Sequence, residues 1–160
     1  FNTSLYNVTV PGKVAKVDDY CFQKCANLRS VTLSEGVRGT GASVFANDEA
    51  LYSVSLPSTL QTIGAYGFFR CASLGLYENV PFPAVPDGVT AIGEKAFKHC
   101  KRIKRLELGR GVTEVPAEMC NYCLRLEEVT VAAPGGLRSV GLSAFSNCPA
   151  LVSPPSASGR

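Results

Sequence analysis

The chain has 160 residues, 46% of them hydrophobic and 18% charged, with a formal net charge of +3. That is one domain-sized unit with ordinary core-forming capacity. No stretch approaches the length of a membrane span, and so small a positive charge does not by itself indicate a nucleic-acid binder.

Read from the N-terminus, the first element is Val8-Thr9-Val10, an apolar–polar alternation that predicts a strand with one buried face. Val31-Thr32-Leu33, Val54-Ser55-Leu56, Leu106-Glu107-Leu108 and Val129-Thr130-Val131 repeat it. A leucine or isoleucine opens each unit, at Leu5, Leu28, Leu51, Leu74, Ile103 and Leu126, with Leu151 after the last. The intervals are 23, 23, 23, 29, 23 and 25 residues. A fixed period of this length decides an architecture before local propensity does.

After each strand comes a turn column of Pro11, Ser34, Pro57, Pro86, Gly109 and Pro134. Proline has no N–H to give a ladder, so it ends the strand. A second short extended run leads to Asp18, Gly41, Gly64, Gly93, Pro116 and Gly141, which suits entry into a helix. The next columns are aromatic (Phe22, Phe45, Phe68, Phe97, Cys120, Phe145) and mostly cysteine (Cys25, Asp48, Cys71, Cys100, Cys123, Cys148). Ala96, Phe97 and Cys100 stand at i, i+1 and i+4, the spacing of one helical face. The expectation is an α/β solenoid of about six repeats, with parallel strands on one face and short helices or turns on the other. Units starting near 5, 28, 51, 74, 103 and 126 fill residues 1–151, and 152–160 form an irregular tail. The chain starts within a repeat and ends without completing another, so a fragment of a longer protein is expected.

These columns resemble the BspA-like leucine-rich repeats, whose 23-residue units carry an I-G-x-x-A-F-x-x-C segment. Gly64 to Cys71 and Gly93 to Cys100 match it best. Coil two departs at Thr40, Val44 and Asp48, and coil five at Pro116, Met119 and Cys120. The resemblance implies protein binding, and the family includes bacterial surface adhesins.

No constellation points to an enzyme. The one histidine, His99, adjoins Cys100, but the helical pattern sends one outward and the other inward. Cys120-x-x-Cys123 lacks the second pair that structural zinc wants, and both belong to core columns. The cysteine column is read as free packed thiols, since cysteine behaves there as a small hydrophobe. Free thiols favour a reducing compartment, while the resemblance allows the cell surface. No metal and no cofactor are expected.

Three features are candidates for binding a protein partner. Lys98, His99, Lys101, Arg102, Lys104 and Arg105, around Cys100 and Ile103, form a basic patch near the helix-to-strand junction, alternatively a solvated edge offset by Glu107 or Glu128. The outward strand positions, among them Ser53, Ser55, Arg105 and Glu107, line an exposed sheet face. The six extra residues of the fourth repeat lie within Gly75–Pro86, at the strand, where three prolines oppose a regular strand. Such insertions often map to the binding face. Tyr77 and Phe82 there either project toward a partner or fold back over the stack. The expected function is a protein-interaction scaffold; the alternatives are a structural module of a large assembly and a cell-surface adhesin ectodomain.

Overall fold

The computed structural model describes residues 2–132, 136–152 and 156–157. Ala133 and Pro134, which fall in the small insertion and turn column of the sixth repeat, lie outside the described residues, as do 153–155 and 158–160 of the tail. Each repeat makes one coil of a stacked prism with three sides, here called the strand, short-strand and turn faces.

The strand face holds β1 (Asn7–Val10), β3 (Ser30–Leu33) and β5 (Ser53–Ser55), then β8 (Arg105–Leu108), β10 (Glu128–Val131) and β12 (Ser156–Ala157). All pair in parallel at equivalent positions, such as Val8 with Val31 and Leu106 with Val129. The short-strand face holds β2 (Lys16–Val17), β4 (Gly39–Thr40), β6 (Thr62–Ile63) and β7 (Ala91–Ile92) in one sheet. Coils five and six add β9 (Glu114–Val115) and β11 (Ser139–Val140) in another. The alternation that predicts the strands matches their burial, as in β8, where Leu106 and Leu108 are inside and Arg105 and Glu107 outside.

The third face corrects the expected fold class. Among the described residues there is no helix, so the molecule is an all-parallel β-solenoid and not an α/β fold. A helix spends each N–H on the carbonyl four residues back. Here alternate N–H groups reach the next coil instead: Tyr20, Phe22 and Lys24 donate to the carbonyls of Ala42, Val44 and Ala46. The same triplet recurs from Ser43, Phe45 and Asn47 to Ala65, Gly67 and Phe69, and onward through coil five. Aiming the amides this way needs two left-handed residues per coil. These are Tyr20 and Lys24 in coil one, Lys95 and His99 in coil four, with φ between 56° and 62°. Non-glycine residues there cost ~1–2 kcal/mol each. Such strain persists only where the surroundings over-determine it, and the repeated inter-coil bonds do so.

The spacing of Ala96, Phe97 and Cys100 does mark an inward face, and all three are fully buried. Two successive turns, however, bring i, i+1 and i+4 inward as well as a helix does. The Gly column serves close approach: a Cβ on Gly93 would collide with the backbone of Ala65 one coil back.

The core is a set of axial ladders. Phe22, Phe45, Phe68 and Phe97 stack at 5.4–5.7 Å between ring centroids. Beside them the cysteine column does more than fill space. The Sγ–H groups of Cys71, Cys100 and Cys123 donate at 3.1 Å to the carbonyls of Phe45, Phe68 and Phe97. Cys148 donates to Cys120 O at 3.0 Å. Burial pushes the thiols of Cys71, Cys100 and Cys120 well above their usual range. Buried carbonyls are costly to leave unmet, and these thiols supply a second donor in coils three to six.

Candidate functional site

The strand face is interrupted at coil four. Between β5 and β8 lie residues 56–104 without a strand on this face, and the sheet splits into two three-stranded halves. The prolines explain it: Pro81 and Pro83 cannot donate to a ladder. What survives is one bridge, Val85 with Leu108, made by Val85 N–H donating to Glu107 O at 2.8 Å.

Phe82 does not project. It is 7% exposed and packs edge-on against Phe68 (5.7 Å) and Phe97 (5.2 Å), so it fills the core place of the missing strand. Of the two alternatives it takes the folded-back one, and it anchors the insertion. Tyr77 is 49% exposed and rests edge-on against Tyr52 at 5.1 Å. The insertion thus divides its aromatics, one inward and one outward.

The basic patch is also divided. Lys98 belongs to the turn face and forms a hydrogen-bonded ion pair with Glu118, which Lys95 approaches at 3.5 Å. The hydrogen bond from Lys98 holds the Glu118 carboxyl below its usual range. Lys104 turns to the insertion and donates to Glu78 at 2.7 Å, holding that carboxyl low as well. Arg105 lies 3.5 Å from Glu128 on the next strand. Lys101 and Arg102 are exposed, and neither makes an ion pair among the described residues. Of the carboxylates expected to offset the patch, Glu128 does so and Glu107 does not; Glu78 and Glu118 do most of it.

Glu118 was legible by repeat arithmetic, since it stands 23 residues after Lys95 in the same column. Glu78 was not, because it lies inside the insertion. His99 faces outward, stacked on Tyr122 at 4.8 Å with Phe69 edge-on at 5.8 Å. Burial, with Lys98, Arg70 and Lys101 nearby, lowers its pKa.

Ser55 is exposed on β5 and Ser53 half-buried, while Arg105 and Glu107 are exposed on β8. The two pairs sit on opposite sides of the gap. Against β8 the gap deepens into a groove of about 570 Å³. Tyr77, Pro81, Phe82 and Pro83 line one wall, and Lys104, Arg105 and Glu107 the other, with Glu127 at the rim. Among the described residues no group of three or more His, Cys, Asp or Glu could hold a metal ion. No helix among them is long and apolar enough to cross a membrane.

Stacked 23-residue coils of this kind define a leucine-rich-repeat solenoid, a class of structural and interaction modules. The chain belongs to the BspA type leucine rich repeat family, which it matches in six copies over residues 1–75 and 77–153. A leucine-rich repeat protein from Bacteroides ovatus superposes with a TM-score of 0.78 at 23% identity, over 91% of this chain and 36% of that one. A leucine rich cell surface protein from Faecalibacterium prausnitzii gives 0.71 at 25% identity, over 92% and 46%. The leucine rich repeat protein of T. pallidum gives 0.65 at 23% identity, over 92% and 78%. The chain therefore spans between a third and a half of the first two. No curated protein sequence matches it.

Proposed function

We propose that the chain is a protein-interaction scaffold whose contact surface is the strand face around the coil-four insertion. The carrying observation is the groove beside β8, built by residues that break the repeat rather than maintain it. Tyr77 stands exposed at its wall, and aromatic residues are the commonest anchors of protein interfaces. Ser53, Ser55, Arg105 and Glu107 flank it; Lys101 and Arg102 form a free basic margin.

Crosslinking mass spectrometry on the native parent protein in its own cell extract tests this reading. Crosslinks from Lys101 and Lys104 to one defined partner are expected. Links confined to the parent chain would leave a structural spacer as the better account.

A second reading, a surface-displayed structural module or adhesin, draws on the cell-surface description of the F. prausnitzii relative. The comparisons support this reading more directly than they support the choice of contact face. Labelling intact source cells with a membrane-impermeant amine reagent separates the two: modified Lys101 supports surface display, and protected lysines oppose it.

A further inference from the structure

The break in the strand face leaves hydrogen-bonding groups as well as space. In β8 the backbone groups of Lys104, Leu106 and Leu108 face β10, as the bonds from Glu127 N–H to Lys104 O and from Ala132 N–H to Leu108 O show. Those of Arg105 and Glu107 therefore face coil four. Glu107 O is met by Val85 N–H. Among the described residues, no backbone bond from coil four reaches the N–H or C=O of Arg105 or the N–H of Glu107. Open edge groups of this kind are templates for an added strand.

The charges around them are unequal. Lys104 is held by Glu78, and Arg105 lies against Glu128. Glu107 and Glu127, both exposed on the groove, have no cation partner among the described residues. The groove thus combines an apolar wall, an open strand edge and two carboxylates without counter-charge.

We propose that this groove takes an extended basic peptide segment of the partner, pairing with the open backbone of Arg105 and Glu107 and setting a lysine or arginine against Glu107 and Glu127. The proposal rests on the scaffold reading above and names the partner's chemistry. Strand addition gives affinity through main-chain bonds, and side-chain contacts at alternate positions give specificity. Coil four cannot compete for the edge, because prolines stand at 81 and 83 and Phe82 is committed to the core.

Panning a random dodecapeptide phage library against the whole chain tests it. Selected peptides should alternate apolar residues with Lys or Arg, and they should slow amide exchange at Arg105 and Glu107. The Glu107→Gln/Glu127→Gln double variant should bind them at least tenfold more weakly; both positions are exposed, so the fold is not at stake. Selected peptides without basic residues, or peptides that leave exchange at Arg105 and Glu107 unchanged, overturn the proposal. A native partner that crosslinks to the strand face while the peptides fail would remove the basic-strand site and leave the scaffold standing.

Discussion

Six extra residues enter coil four, and its three faces do not answer them alike. On the turn face nothing changes: Tyr66, Phe68 and Arg70 still donate to the carbonyls of Glu94, Ala96 and Lys98. On the short-strand face Thr62 and Ile63 still pair with Ala91 and Ile92. Only the strand face opens. The lesson is about where a solenoid tolerates extra chain. Lengthening a loop costs little entropy, about 0.6 kcal/mol per doubling. What must be restored is the buried volume, and one side chain, Phe82, restores it. The backbone ladder is then free to stay broken.

The largest expected effect comes from removing that plug. Phe82→Ala should lower unfolding free energy by about 3–5 kcal/mol, as for other buried Phe→Ala changes. Urea denaturation measures it. A loss below about 1 kcal/mol would mean that the insertion is dispensable and that coil four is held by the other two faces alone.

The intact faces should be sensitive for a different reason. Gly93→Ala forces a Cβ into the Ala65 backbone and should cost about 1–3 kcal/mol, the usual range for overpacking. Cys100→Ala removes the second donor to Phe68 O, which keeps the Cys71 N–H, so about 0.5–1.5 kcal/mol is expected from the lost hydrogen bond. Cys100→Ser keeps a donor and should lose less. If the two cysteine variants unfold together, the thiol serves as volume and not as a hydrogen-bond donor.

Asp48 stands in the thiol column and sharpens the same point. It is fully buried; one carboxyl oxygen accepts from Cys25 N–H at 2.7 Å, and the other has no hydrogen-bond partner among the described residues. Burial raises its pKa from 3.8 to about 8. The folded state therefore holds a proton that the unfolded state releases. The stabilisation is full below about pH 4 and is lost as pH rises through about 8, at no more than about 1.4 kcal/mol per pH unit. Chemical denaturation from pH 5 to 9 should show that decline. Asp48→Cys should flatten it and raise stability at pH 9; an unchanged slope would assign the pH dependence elsewhere.

The smallest effect is expected at Tyr77→Ala. A half-exposed ring with one edge contact should change stability by about 0.5 kcal/mol. Thermal unfolding checks it, and a much larger loss would make Tyr77 part of the plug.

Apart from β12, which falls in the tail expected to be irregular, the strands, their register and the broken coil were legible because alternation, prolines and a 23-residue period are properties of neighbouring residues. The turn face was not. Tyr20, Lys24, Tyr66, Arg70 and Glu118 adopt positive φ without being glycine or asparagine, because their amides are claimed by the next coil. Nothing within a single repeat announces that bond. Phe82 was ambiguous for a related reason: between two prolines there is no periodicity to tell inside from outside. The ion pairs divide the same way. Lys95 with Glu118 and Arg105 with Glu128 follow from adding 23 to a residue number, whereas Lys104 with Glu78 depends on the path of the insertion.

The amide triplets of the turn face have one more property. All of them point the same way, from each coil toward the next, whereas the bonds of a parallel sheet run in both directions. Aligned peptide dipoles add, as they do along an α-helix. The turn face is thus an electrostatic rod without a helix, negative toward coil one and positive where Ser143, Phe145 and Asn147 aim their amides past coil six. The direction of that rod is written into the backbone before a single charged side chain is counted.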